Sequence, residues 1–291
     1  MSDEIQQLAE QLRNLRREVD ELKRMEFAQN VVIPPVPEDA LPTGYLFGLT
    51  LSNNSVDATN DMDITTGKCR DGTDAVNMAL ASALTKRLDA TWVVGTNQGG
   101  LDEGVVGNNT YHVWLIKRSD TGVVDVLFSL SLATPTMPTS YNYKRRIGSI
   151  VRTGGAIKAF KQDGDTFVWK VPVGDVAATN PGTSAVSRTL TVPAGIRVEA
   201  ILSAVGRSAA GAADNPTSVF ISDLSTTDTL PDASVFNTIV YNGGAVQNYS
   251  GTMMRVFTDT SAQVRSRVGV STANTILYIS THGWMDARGR S

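Results

Sequence analysis

The 291-residue sequence lacks the features that define several common classes of protein. It has one cysteine, Cys69, so an internal disulfide is excluded. No apolar run approaches the roughly 18 residues that span a bilayer, and the charged N-terminus does not resemble a secretory signal. The net charge is only −3, so the composition does not favour binding to nucleic acid or to an anionic membrane. We expect synthesis in the cytosol, no membrane insertion and no nucleic-acid partner.

Histidine is also scarce, with His112 and His282 alone in the chain. Zinc sites and histidine-based nucleophile sites need more ligands or acids at defined spacing than the chain offers. The segment DATNDMD contains Asp57, Asp61 and Asp63, but it lacks the glycine and the distal glutamate of an EF-hand calcium loop. We therefore expect no metal and no cofactor, and we interpret these aspartates as caps of a polar turn.

Paired carboxylates facing each other across a groove would indicate a glycan-cleaving enzyme. The acids that could supply such a pair lie at predicted turns or strand ends, where acidic residues are common. No short repeat predicts the parallel β-helix that such enzymes often carry. We expect no catalytic residues and no enzymatic activity, with a glycan-degrading fibre enzyme as the alternative of another class. The acids considered are Asp102, Glu103, Asp120 and Asp125.

One segment, IQQLAEQLRNLRREVDEL from residue 5, has an apolar residue at two positions of every seven. This seam is narrower than the apolar face of a helix that packs on a globular core, and it is typical of a coiled coil. Glu18 and Lys23 flank the seam where they could pair between parallel chains. The predicted oligomerisation residues are Ile5, Leu12 and Val19 at heptad position a and Leu8, Leu15 and Leu22 at position d.

This pattern predicts an oligomerisation and attachment helix over residues 1–30 and a proline-rich linker over 31–43. Four prolines between residues 34 and 42 favour an extended, stiff spacer. Because an isolated helix of this length is marginal in water, it needs partner chains. The heptads alone do not choose between a dimer and a trimer. The alternative is an amphipathic helix that lies on its own domain.

After Pro42 the sequence reads as short strands separated by turns. Strands are predicted at 110–117 and 123–130, joined by the turn Ser119–Gly122. Further strands are separated by glycine turns at 153–155 and 163–165, where glycine supplies a positive φ. The segment DAVNMALASALTKRLDATW fits either a helix or strands, and its periodicity does not decide between them.

Two β-rich domains are predicted, at 44–176 and 177–291. The segment AATNPGTSAVS at 177–187 reads as a linker because it is rich in small residues and has no periodicity. About seven alternating strands follow, which fits an antiparallel sandwich of jelly-roll or similar kind. The predicted fold class is mainly β, with an N-terminal trimeric coiled-coil helix before two sandwich-like domains.

Three stretches of the first domain carry a resemblance: ALTKRLDATWVVGTNQGGLDEG, TYHVWLIKRSDTGVVDVLFS and PTMPTSYNYKRRIGSIVR. Together they resemble a module of tail-fibre and other virion proteins of tailed bacteriophages and prophages, over residues 45–176. In that family a Gly-Gly-Leu-Asp turn is expected between the tryptophan and the Tyr-His strand. The closing THGWMDARGR also resembles the ends of phage virion proteins. The matching positions are Trp92, Gly95, Gly99–Asp102, Tyr111–His112, Ile116–Arg118 and Arg145–Ile150.

This resemblance implies a trimeric fibre or spike of the virion that attaches through its N-terminus to baseplate, tail or capsid proteins. The C-terminal sandwich would then face outward and bind a glycan or protein on the host cell surface. The tail-fibre or receptor-binding type is our first hypothesis, and a capsid (head) fibre or decoration protein is the alternative. The resemblance brings no catalytic residue with it.

Two sets of residues are candidate contact sites. Exposed aromatic and asparagine side chains near the distal end would suit a host ligand. A basic cluster beside two tyrosines would suit a neighbouring subunit. The ligand-binding candidates are Tyr241, Asn242, Asn248, Tyr249 and Trp284, and the intersubunit candidates are Lys144, Arg145 and Arg146.

Overall fold

A computed structural model describes residues 2–28, 41–208, 217–232, 234–240 and 248–290 of the chain. By internal contacts the chain divides into two compact units, Met1–Ala40 and Leu41–Ser291. The predicted mainly β class is confirmed, since one helix and twenty strands form the described part.

The first unit contains the helix α1 (Ser2–Ala28). Its sequence holds neither glycine nor proline, and Asp3 and Glu4 in its first turn complement the positive end of the helix dipole. The heptad pattern therefore predicted the helix to within two residues at each end.

Short strands form the first part of the second unit. Several of the turns between them contain glycine or asparagine. They are β1 (Leu46–Gly48), β2 (Leu51–Asn53), β3 (Asp61–Ile64), β4 (Gly67–Arg70), β5 (Asn77–Leu80), β6 (Leu84–Thr91), β7 (Gln98–Leu101), β8 (Thr110–Arg118), β9 (Val124–Ser129), β10 (Tyr141–Thr153), β11 (Ala156–Ile157) and β12 (Phe160–Asp163).

These strands build an eight-stranded sheet in the order β11-β10-β8-β9-β7-β6-β3-β2 and a three-stranded sheet in the order β1-β4-β5. The predicted hairpin is confirmed: β8 pairs with β9 from His112–Ser129 to Lys117–Val124. The glycine turns are confirmed as well, because Gly154, Gly155 and Gly164 all have positive φ.

The expected Gly-Gly-Leu-Asp turn is wrong. Residues 98–101 form strand β7, which runs parallel to both β6 and β9. A Cβ atom at Gly99 would lie 1.9 Å from the carbonyl oxygen of Thr91, so glycine is required there by the close approach of two backbones. The ambiguous segment before it forms the two strands β5 and β6 rather than a helix.

The remaining strands form a jelly roll. Numbered in chain order, its eight strands lie as 1-8-3-6 in one sheet and 2-7-4-5 in the other, and each neighbouring pair is antiparallel. Strand β12 extends the edge of the first sheet. The eight strands are β13 (Thr166–Thr179), β14 (Val186–Thr189), β15 (Glu199–Ser208), β16 (Thr217–Ser222), β17 (Thr238–Val240), β18 (Asn248–Phe257), β19 (Gln263–Val268) and β20 (Thr275–Met285).

The predicted domain boundary at 176/177 falls inside β13, the first strand of the jelly roll. The predicted linker 177–187 belongs partly to β13 and partly to β14, which leaves residues 180–185 between strands. One hydrophobic core contains side chains from both sides of this boundary, among them Phe167, Trp169, Leu202 and Trp284. Trp284 stacks on Phe167 at 4.9 Å with nearly parallel rings.

Among the described residues, no helix has the length and apolarity required to cross a lipid bilayer.

Candidate functional site

The apolar heptad seam of α1 is exposed in the single chain, and the sequence predicts that it is a contact surface between chains. Single scattered apolar side chains on a surface are ordinary, but a continuous stripe marks a contact site. In the single chain the exposed fractions are 66% for Ile5, 62% for Leu8, 64% for Leu12, 63% for Leu15 and 41% for Val19.

The seam repeats at intervals of seven residues, as knobs-into-holes packing between parallel helices requires. Burying one such side chain against a partner stabilises the assembly by about 1.5–3 kcal/mol. Leu22 occupies the next d position of the heptad pattern within α1. The single chain thus presents on one helix face the row of apolar side chains that another copy of the same helix could cover.

The three predicted intersubunit residues have different surroundings in the folded chain. Lys144 donates to the carbonyl oxygen of Ala133 at 2.7 Å and lies 5.3 Å above the ring of Trp114. Arg146 is 8% exposed and forms a bidentate ion pair with Asp286 at 2.5 and 2.6 Å. Arg145 is buried and makes no side-chain hydrogen bond among the described residues. Arg146 is therefore already paired within its own chain, and an intersubunit role for the cluster stays a prediction.

The predicted ligand-binding residues do not form one site in the described part of the chain. Tyr241 and Asn242 lie outside the described residues. Asn248 begins strand β18, where its backbone pairs with Ser208. Tyr249 is 61% exposed on the same strand. Trp284 is fully buried, so its ring offers no surface to a host ligand.

Strand β18 carries an apolar surface that sequence reasoning missed. Every second residue of the strand from Tyr249 faces outward, which exposes Met253 and Phe257 as well. The signal was present in GTMMRVF, because Met253–Met254 and Val256–Phe257 place apolar side chains on both faces of one strand. Tyr249, Met253 and Phe257 form what we call the β18 face.

The acids considered for catalysis form hydrogen bonds or ion pairs within the chain. Asp102 and Glu103 accept hydrogen bonds from the backbone and hydroxyl of Thr136, and Asp120 forms a bidentate pair with Arg118. Asp125 is buried in a strand. Each of these four carboxylates has a partner of its own within the chain.

Asp57 caps the backbone amides of Thr59 and Asn60, as the sequence predicted, whereas Asp61 and Asp63 belong to strand β3 and not to the turn. Burial is the main cause that raises the pKa of Asp61, and the negative charge of Asp57 adds to it. In the described ranges no group of three or more histidine, cysteine or acidic side chains is placed to hold a metal ion.

Lys86 and Asp125 form a buried ion pair that sequence reasoning also missed. Lys86 is fully buried, and its Nζ donates to Asp125 at 3.1 Å, to the carbonyl oxygen of Val93 at 2.7 Å and to that of Gly95 at 3.2 Å. Asp125 in turn accepts the backbone N–H groups of Gly95 and Val126. The pair fixes the loop between β6 and β7 on strand β9.

His112 is a buried histidine whose ring Nδ1 lies 2.9 Å from the hydroxyl of Ser149. Burial lowers its pKa to about 4, and the nearby charge of Arg146 contributes. The unfolded chain holds a proton at this position below about pH 6.5, whereas the folded chain does not until about pH 4. Protons therefore favour the unfolded state over that interval, and stability falls as the pH falls.

We expect the parent chain to lose about 2–3 kcal/mol of stability between pH 7 and pH 4.5 through His112. The measurement is the urea midpoint at each pH for the parent and for His112→Gln, and the variant should show the smaller loss. His282→Gln is the matched control because the ring of His282 is only partly buried. Equal losses in the parent and in His112→Gln would contradict this account.

The chain was also compared with known proteins. No protein-family model and no curated protein matches it. Among solved structures, it is similar to a chain in the crystal structure of the T13 IBDV viral particle, with 12% sequence identity, 84% of this chain and 71% of that chain covered, and a TM-score of 0.22. A likeness of this size carries no argument about function, so the function has to be inferred from the residues of the chain itself.

Proposed function

We propose that this chain is a non-enzymatic structural protein of a bacteriophage particle. It forms a trimeric fibre or spike through its N-terminal helix and displays its β-rich unit for binding to the host surface. The helix also provides the attachment to baseplate, tail or capsid proteins.

The exposed heptad seam is the observation that carries this proposal. Five of its six side chains are described, and each is between 41% and 66% exposed in the single chain. Since a helix of this length is marginal alone in water, its regular seam has a physical reason only when other chains cover it. A monomeric binding module would gain nothing from such a helix.

The choice of a trimer and of a phage particle rests on the sequence resemblance over residues 45–176. The jelly roll is compatible with this choice, because the architecture recurs in viral capsid and lectin domains. This compatibility is an analogy at the level of the fold, and the fold alone does not assign a function.

Host-surface binding is supported by the β18 face, on which Tyr249 and Met253 are 61% and 57% exposed. Tyrosine supplies a large contact area with little loss of conformational entropy, and the flexible methionine side chain adapts to irregular surfaces. Three copies of such a face on one coiled coil would add weak contacts through effective concentration, which suits attachment to a repetitive cell surface.

The proposal predicts the mass of the chain in solution. We expect light scattering to give three times the 31.1 kDa chain mass for the full chain, and a monomer for a chain that starts at Tyr45. The shorter chain keeps every described strand of the β-rich unit, because β1 begins at Leu46. A full-length monomer would contradict the proposal, and two trimers would show that the β-rich unit assembles without the helix.

A further inference from the structure

A cleft of about 660 Å³ lies beside the C-terminal end of strand β18, and its volume is typical of small-molecule sites. The end of β18, which is the last strand of its sheet, lines one part of the cleft. The end of strand β16 and the loop that follows it, residues 223–229, line another part. The cleft therefore lies at the edge of one sheet of the jelly roll.

Strand β18 gives the cleft its apolar surface. Met254 and Val256 pack on the hydrophobic core but are only partly buried, and Phe257 is 45% exposed. The guanidinium of Arg197 lies over the ring of Phe257, with 4.4 Å between its Cζ atom and the ring centroid. This contact holds the ring in place, so the cleft presents a preorganised apolar platform to a ligand.

The loop after β16 gives the cleft hydroxyl groups whose directions are set within the loop. The hydroxyl of Thr226 donates to the carbonyl oxygen of Asp223 at 2.7 Å, and that of Thr229 donates to the carbonyl oxygen of Thr227 at 3.3 Å. A hydroxyl that donates one hydrogen bond can still accept others. Thr226, Thr227 and Thr229 line the cleft and are exposed, so the loop offers oriented acceptors to a ligand.

Two further side chains of the lining add donors. The Oδ1 atom of Asn237 accepts the backbone N–H of Ile221, and its Nδ2 atom is neither buried nor hydrogen-bonded among the described residues. Arg255 has 55% of its side chain exposed and contacts Met285 and Glu199 through Nη1 alone. In the described ranges its Nε and Nη2 atoms donate to no other group, so a ligand can use them.

The charged side chains at the cleft are balanced. Arg197 forms an ion pair with Asp223, and Arg255 lies 3.8 Å from Glu199. Because no net charge is left, the cleft does not select an ion. A ligand that fits has to bring C–H surface for the ring of Phe257 and groups that both donate and accept for the polar side chains. Sugar rings combine these two properties, since they carry C–H groups on their faces and hydroxyl groups around their edge.

We propose that this cleft binds a neutral sugar, with one face of the sugar ring against Phe257 and its hydroxyl groups bonded to Asn237, Arg255 and the loop after β16. The proposal gives a ligand class to the host-surface binding proposed above, and to that extent it rests on that function. Since Phe257 belongs both to the cleft and to the β18 face, the two form one continuous surface.

The probes are the methyl α-glycosides of glucose, galactose, mannose, rhamnose and N-acetylglucosamine, each titrated into the full chain and followed by saturation-transfer NMR. We expect at least one of them to bind saturably, with a dissociation constant on the order of 1 mM for so small a ligand. Between about 50 and 500 mM NaCl the affinity should change by less than about twofold, because a neutral ligand offers salt no charge to screen.

Two variants test where the glycoside binds. Thr227→Trp places a large side chain in the cleft from an exposed loop position outside the β18 face, and it should weaken the affinity by about tenfold or more. Phe257→Ala removes the platform and should have a similar effect. Phe236→Ala is the matched control, because Phe236 is 42% exposed but does not line the cleft. Its affinity should equal that of the parent, and an unchanged melting temperature shows that each variant is folded.

The proposal is overturned if none of the five glycosides binds saturably at concentrations up to about 50 mM, or if Thr227→Trp binds the glycoside as tightly as the parent. Displacement of the bound glycoside by 1-naphthol at equal concentration would also overturn it, because the cleft would then be a general apolar site. Light scattering separates this inference from the fibre function. A trimer that binds no glycoside contradicts the sugar site alone, and a monomer that binds one contradicts the trimeric fibre alone.

Discussion

The full-length chain with Leu8→Asp and Leu15→Asp is expected to be a monomer of 31.1 kDa at micromolar concentration, whereas the parent is expected to have three times that mass. Both leucines occupy position d of the seam, where the packed helices would enclose an aspartate away from water. Burying an unpaired carboxylate costs far more than the loss of a leucine contact, so two such substitutions per chain should abolish assembly.

The same helix provides the matched control. Gln7 and Asn14 are also seven residues apart, but they lie at heptad position c, outside the seam. Gln7→Asp with Asn14→Asp adds the same charge at the same spacing and should leave the mass unchanged. A variant with both leucines replaced that keeps the parent mass would show that the seam is not the interface.

The helix and the hairpins were predictable because their signals are local. Seven-residue periodicity decides both that α1 exists and which of its faces is apolar, and no other part of the chain has to be known. The β8–β9 hairpin and the turns at Gly154 and Gly164 follow likewise from alternation and from the positive φ that glycine allows.

The boundary between the β-rich segments could not be predicted in this way. Strand β13 pairs with β12 through its first residues, and along most of its length it also pairs with β20, more than a hundred residues later in the chain. A change in composition near residue 177 reads as a linker in the sequence. Pairing between distant strands depends on tertiary contacts that local pattern does not contain.

Among the buried polar groups, too, some are indicated by the local sequence and others are not. The aspartate in GVVDVLFS interrupts an otherwise apolar strand, and that interruption was a readable sign of a buried, paired acid. Its partner Lys86 comes from a strand of ordinary composition, so the pair itself was hidden. The pair of Arg146 with Asp286 joins residues 140 positions apart, and nothing local indicates it.

Lys86→Met is expected to destabilise the β-rich unit by about 3–5 kcal/mol, the usual cost of removing one partner from a buried ion pair. Most of the loss comes from the buried groups that are left without a partner, and less comes from the lost attraction between Lys86 and Asp125. Asp125 keeps a buried charge without a counter-ion, and the carbonyl oxygens of Val93 and Gly95 lose their donor. In the parent, burial outweighs the attraction of Asp125 and lowers the pKa of Lys86, so the intact pair is itself only a modest source of stability.

The measurement is the urea midpoint followed by tryptophan fluorescence, since Trp92 lies 5.4 Å from the Nζ of Lys86. Lys68→Met is the matched control, because Lys68 is an exposed strand residue and should cost less than about 0.5 kcal/mol. Adding Asp125→Asn to Lys86→Met should recover part of the loss, because no charge then stays buried and the amide oxygen still accepts a backbone N–H. If the double variant is no more stable than Lys86→Met, the stranded carboxylate is not the cause, and the loss comes from the released loop.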